Sequence, residues 1–299
     1  MDETTKPGFA TRIASRAVFL YLRFFPLKRG KDRLWRAAAA VFLVSELENG
    51  SWLRTSGLTE AEKALFLKEG KEPRTVDFLI RFLEPGMISI DVGANIGYLT
   101  VVMAARTGPL GRVHAFEPTP ALAQRIRLNC RLSGLANVQV NQLAVSDTSG
   151  TATLRLSRED HEANSLFDVE MGSDTISVAT TTLSDYVAGL SDDRIDFIKL
   201  DCEGSELNAL KGSIGLLNRV NGPVILFECN PETLQTCGAS VADLVGYLHS
   251  AEYRCYTLEQ LRAGPQPVWN ILAVKKSHGR AAQLIAEHGL EKFNGLPIA

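Results

Sequence analysis

The sequence predicts an α/β fold, a Rossmann-like, mostly parallel sheet with helices on both faces, and three observations carry that prediction. Short apolar runs alternate with helically spaced stretches from about residue 85 onward. One run leads directly into a glycine-bearing turn followed by a helix, and three runs end in an acidic residue. Chains of this type bind ligands beyond the carboxyl ends of their strands. With 299 residues, 45% of them hydrophobic and 22% charged, there is ample material for a full core.

The beginning of the chain differs in charge from the rest. Residues 1 to 36 hold nine Lys and Arg against Asp2, Glu3 and Asp32, a net +6 within a total of −2, so the remainder is −8. The apolar run Ala17 to Leu22 is bracketed by Arg16 and Arg23 and is too short for a signal peptide or a membrane span. The expectation is a cytoplasmic chain with a basic helical extension. Whether that helix is merely solvated or meets lipid headgroups through Phe19, Leu20, Leu22, Phe24 and Phe25 stays open, which leaves peripheral membrane contact as one reading. Five scattered cysteines without metal-ligand spacing point to a reducing compartment and structural thiols.

Helical spacing then covers Ala37 to Leu47 and Ala61 to Leu67, and Pro85-Gly86 punctuates. The strand-like runs that follow are Met87 to Val92, Val113 to Phe116, Val138 to Gln142, Ile195 to Leu200, Val224 to Phe227, Tyr253 to Leu258 and Asn270 to Val274. Helices are expected over Tyr98 to Ala105, Ala121 to Ser133, Leu183 to Ala188 and Glu206 to Leu217. Thr151 to Leu156 and Thr175 to Thr181 alternate with period two around a polar stretch, so a hairpin-like excursion or a plain surface loop lies there.

The chemistry concentrates at strand ends. After the first run, Asp91-Val92-Gly93-Ala94-Asn95-Ile96-Gly97 needs Gly93 and Gly97 for a sharp turn and close backbone approach, which makes it a nucleotide-type loop. A dinucleotide fold would place glycine where Asn95 stands. A methyltransferase needs no pyrophosphate cradle; backbone groups and carboxylates suit its zwitterionic cofactor tail and ribose. Glu117 ends the second run, positioned to accept from ribose hydroxyls or simply to start a helix. Ala144, within Leu143 to Asp147 after the third run, falls where an adenine contact belongs, with Asp147 equally readable as a loop acid. The fourth run ends in Asp201-Cys202-Glu203-Gly204-Ser205-Glu206, whose three carboxylates suit sulfonium orientation, proton removal or divalent-ion binding. Glu206 is also explained by the dipole of a helix start.

Asp91 to Tyr98, Phe116-Glu117-Pro118, Asp196 to Gly204 and Leu226-Phe227-Glu228 together resemble the FkbM family of class I methyltransferases, over about residues 72 to 275. The resemblance implies a seven-stranded sheet of order 3-2-1-4-5-7-6 with the last strand antiparallel, S-adenosyl-L-methionine as cofactor, and O-methylation of hydroxyls on natural products or glycans. On this footing residues 1–71 are the basic extension, 72–277 the methyltransferase domain and 278–299 a helical tail. Cys202 stands where the family usually has valine, a packing position. Asp91, Gly93, Asn95, Gly97, Glu117, Ala144 and Asp201 are the expected cofactor contacts. Asp201 and Glu203, with Glu228 behind them, are candidate bases. Asn164, matched in Asn164-Ser165-Leu166 ahead of Thr182 to Asp185, and Glu206 are candidate contacts to a small-molecule or glycan acceptor. No residue is assigned as a metal ligand; whether a divalent metal is needed and the oligomeric state both stay open.

Two other readings compete. A nicotinamide-dependent oxidoreductase shares the loop and Glu117 but not Asn95 or the fourth-run acids. A non-catalytic binding module could keep the scaffold, against which the intact Gly93, Gly97, Glu117 and Asp201 argue. A nucleic-acid substrate is disfavoured by the acidic core and by the absence of an Asn/Asp-Pro-Pro-aromatic stretch after the fourth run.

Overall fold

The computed structural model describes residues 7–24, 43–55, 60–67, 72–156, 174–263 and 267–293. The chain opens with helix α1 (Phe9–Phe24), then strands β1 (Leu43–Glu46) and β2 (Trp52–Thr55), and helices α2 (Glu60–Leu67) and α3 (Pro73–Phe82). The helix expected over Ala37 to Leu47 is overturned in its described part, because β1 pairs antiparallel with β2 in a hairpin. Asn49-Gly50 turns it: Gly50 takes a φ of 78°, and the Leu47 N–H donates to the Ser51 carbonyl at 2.8 Å. An Asn-Gly pair between apolar runs is a hairpin signal that helical periodicity hid.

Beyond Pro85-Gly86 the predicted alternation holds. In order come β3 (Ile88–Val92), α4 (Tyr98–Thr107), β4 (Arg112–Phe116), α5 (Pro120–Leu132), β5 (Val138–Asn141), β6 (Ala144–Val145), β7 (Gly150–Leu156), β8 (Asp174–Thr181), α6 (Leu183–Ala188), β9 (Phe197–Leu200), α7 (Glu206–Lys211), α8 (Ile214–Leu217), β10 (Val224–Cys229), α9 (Pro231–Thr236), α10 (Val241–Ser250), β11 (Tyr253–Arg262), β12 (Val268–Lys275) and α11 (Gly279–Glu287). The main sheet runs β11-β12-β10-β9-β3-β4-β5, with β12 antiparallel to both neighbours. β7 and β8 pair antiparallel, the hairpin-like one of the two readings left open, with β6 added parallel to β8. Its tip, including Asn164, lies outside the described residues.

The helix expected over Glu206 to Leu217 is two helices, α7 and α8. A Cβ at Gly212 would fall 2.0 Å from the Ser146 carbonyl oxygen, so the backbone passes too close to the β6 loop for a side chain there.

Both faces of the sheet are apolar, as a parallel sheet between helices requires. Along β10, Ile225, Phe227 and Cys229 face Leu183, Val187, Leu210, Leu217, Leu244 and Leu248 of α6, α7, α8 and α10. Val224 and Leu226 face Leu79, Phe82, Val102, Met103 and Leu284 of α3, α4 and α11. Each such side chain removed from water contributes roughly 1.5–3 kcal/mol. The two layers leave the strand ends as the place where polar residues collect.

A distant carboxylate caps helix α3. Glu259 on β11 is buried and accepts from the Thr75 N–H at 3.0 Å and the Thr75 hydroxyl at 3.1 Å, while Asn270 on β12 donates to Thr75 Oγ1 and Glu72. Glu259→Ala leaves buried donors unpaired and is expected to cost about 2–3 kcal/mol, read as a lowered urea midpoint, with partial recovery in Glu259→Gln.

Candidate functional site

Three strand ends meet around one loop. The Gly93 and Ala94 N–H groups both donate to the Phe116 carbonyl at 3.0 Å, tying the loop after β3 to the end of β4. The Asp201 N–H donates to the Val92 carbonyl at 3.1 Å, tying it to the end of β9. Gly93 takes a φ of 72°, and a Cβ there would land 1.7 Å from the Asp201 carbonyl oxygen. Asn95 is also left-handed, at 52°, a conformation that Asn tolerates better than most residues.

These ends wall a cavity of about 720 Å³. Asp91, Gly93, Asn95, Glu117, Ala144, Asp201, Glu203 and Glu228, all expected from the sequence, line it. Gly97 does not. A Cβ on it would press on Ile126 at 3.2 Å, so its role is to let α4 start against α5. Glu206 also stands away from the cavity. It is buried and accepts from the Cys202 N–H at 2.8 Å, so it shapes the turn after β9 instead of making the expected acceptor contact.

The lining also includes Glu72, Tyr98, Lys199, Asn230 and Arg262, which sequence reasoning did not single out. Lys199 had a signal: it is the one charged residue within the buried strand β9. Glu72 and Arg262 had none, since they reach the cavity from the start of α3 and the irregular end of β11.

Charge in the cavity is arranged around Lys199. Its ammonium lies 2.8 Å from Asp201 Oδ2, and Lys199 sits beside Asp91 in the β3–β9 pairing. Burial works against its charge, yet Asp201, Asp91 and Glu72 together hold its pKa above the ordinary lysine value. Burial raises Asp91, with Lys199 pulling the other way. Asp91 Oδ2 accepts from the Thr100 hydroxyl, whereas Oδ1 has no hydrogen-bond partner among the described residues. Glu117 accepts from the Asn95 N–H at 3.0 Å and the Thr119 N–H at 2.9 Å, and burial pushes it up to about 7 against those bonds. Burial, then the charges of Asp201 and Glu206, push Glu228 up to about 9. Among the described residues no group of His, Cys, Asp and Glu is arranged to hold a metal ion.

Glu228 yields a pH test. Its folded pKa lies above the ordinary 4.5, so between about 4.5 and 9 the folded chain keeps a proton that the unfolded chain has lost. Its effect is therefore a stability that falls as pH rises through that window. Glu228→Gln is expected to raise the melting temperature by several degrees at pH 8 and hardly at pH 5, checked by thermal melts across the range.

Residues 91–255 match the methyltransferase FkbM domain family, just over half of the chain. Methyltransferase sdnD of Sordaria araneosa is 31% identical over 156 residues, covering 41% of this chain and 59% of that protein. The 31-O-demethyl-FK506 methyltransferase FkbM of Streptomyces tacrolimicus is 43% identical over 68 residues, 23% of this chain and 25% of that one. The chain thus matches less than two thirds of the length of these relatives. A putative rRNA methylase structure from Clostridium thermocellum overlaps 69% of this chain and 96% of that one, at 12% identity and a TM-score of 0.45.

Proposed function

The chain belongs to the FkbM methyltransferase family, and from that premise we propose that it transfers a methyl group from S-adenosylmethionine to a hydroxyl of a saccharide, glycolipid or other natural product. The observation that carries the reading is the joining of Asp91, Glu117 and Asp201 at the mouths of β3, β4 and β9 around one cavity. Its volume falls within the range of about 300–1,000 Å³ common for small-molecule sites.

The residues suit this cofactor, which brings a positive sulfonium, an amino group and a ribose diol. Asp91 Oδ1 offers an unused acceptor in the wall. Each Glu117 oxygen takes one backbone N–H, leaving lone pairs for the ribose. Ala144 supplies an apolar surface for the base. When bound, the cofactor supplies an electrophilic methyl group on sulfur.

The chain's own part is alignment and proton removal. Lys199 fixes one oxygen of Asp201, so that carboxylate presents a defined edge to the cavity. Asp201, with Glu203 beside it, takes the proton of the acceptor hydroxyl. Glu228, with a pKa of about 9, holds its own proton at neutral pH and serves as a hydrogen-bond donor toward the acceptor. That ranks Asp201 ahead of Glu228 as the base.

The reading is tested in two steps. Calorimetry is expected to show binding of S-adenosylhomocysteine but not NAD; the reverse would sink it. Labelled methyl transfer to an extract of cells lacking the protein is then expected to mark a hydroxyl-bearing species. Asp201→Asn should reduce that transfer by about 10²–10⁴-fold, with Glu228→Gln near wild type at pH 7. Equal rates for Asp201→Asn and wild type would remove Asp201 as base, and binding without transfer would favour a non-catalytic module.

A further inference from the structure

Helix α1 presents two apolar faces, and among the described residues the packing contacts fall on one of them. Inward, Leu22 packs with Leu43, Phe66 and Leu67, Phe19 meets Phe66 edge-on at 6.3 Å, and Ser15 Oγ accepts from the Val44 N–H at 3.0 Å. These contacts fix how the helix is rotated. Outward, Phe9 is 72% exposed, Ile13 53%, Leu20 47% and Phe24 71%. At 3.6 residues per turn these four fall within about 60° of one another, a single stripe along the helix. Arg12, Arg16 and Arg23 occupy the adjoining ~60° on one side of it.

We propose that this stripe seats the protein on an anionic membrane surface, with α1 lying in the plane of the headgroups. Apolar side chains beside arginines are the composition of an interfacial helix. Charge complementarity names the occupant: residues 1–36 carry +6 while the rest of the chain carries −8, so an anionic surface attracts this end and repels the remainder. A second copy is a poorer partner. Antiparallel pairing through the stripe sets both arginine rows on the same edge, where like charges oppose. Among the described residues no helix is long and apolar enough to cross a membrane, so the contact is peripheral.

The seat also has a place relative to the cavity. α1 packs on Phe66 and Leu67 of α2, and the preceding residue, Leu65, lines the cavity. The proposal does not rest on methyl transfer, and its test needs none.

The full chain is sedimented with vesicles of phosphatidylcholine containing about one third phosphatidylglycerol, with pure phosphatidylcholine vesicles, and alone. Sedimentation is expected with the anionic vesicles only, weakened at high salt. Phe9→Ser/Phe24→Ser changes only exposed side chains; it is expected to lower partitioning about tenfold or more with an unchanged thermal melt. Arg12→Glu/Arg16→Glu should weaken it further at low salt. No sedimentation with anionic vesicles, or equal sedimentation of the Phe9→Ser/Phe24→Ser chain, would overturn the proposal. So would a wild-type dimer that this variant dissociates without any vesicle binding, since the stripe would then belong to a second copy.

Discussion

The site depends on one close approach. The carbonyl of Asp201 occupies the space where a side chain at residue 93 would begin, so the chain leaving β3 and the chain leaving β9 run in direct backbone contact. Only glycine allows this, in both space and φ. The contact brings the acids ending β3 and β9 onto one wall, and the paired bonds from Gly93 and Ala94 to Phe116 bring the end of β4, with Glu117, to the same place. Remove the approach and three acidic strand tips lose their common frame.

Gathering carboxylates in a half-buried cavity is costly, because each loses hydration and each raises the others' affinity for protons. The structure divides that cost. Lys199 sits within the sheet and offsets Asp201 and Asp91; Glu117 is held by two backbone N–H groups; Glu228 keeps its proton. A row of acids in the sequence thus becomes a set of carboxyl groups in different surroundings. Their differences come from what each one touches.

Much of this was legible from residues alone. Apolar runs marked the strands because a parallel sheet buried on both faces requires them, and an acid ending such a run has few structural explanations. Eight of the expected residues line the cavity, among them Asp91, Glu117 and Asp201 at such ends. Gly97 and Glu206 read like site residues because a sharp turn and a first-turn acid look alike whether they face a ligand or a neighbouring helix. Their places depend on Ile126 and on the Cys202 N–H, which are tertiary facts. Glu72 and Arg262 were hidden for a related reason: both arrive from segments remote in sequence, and nothing local marks the register shifts that aim the end of β11. The β1–β2 hairpin was hidden by apolar spacing that fits a helix as well as a strand, with Gly50 as the deciding residue.

The cap on α3 has a consequence in time. Thr75 meets Glu259 across 184 residues of sequence. At about 5–20 residues per second, a ribosome completes the glycine loop and the tips of β3 and β4 roughly 7–30 s before it supplies that acceptor. The side of the pocket near Glu72 and α3 therefore depends on the last part of the chain to be made. The last strands to emerge close it, so a truncated chain that kept every residue of the glycine loop would still lack a finished wall.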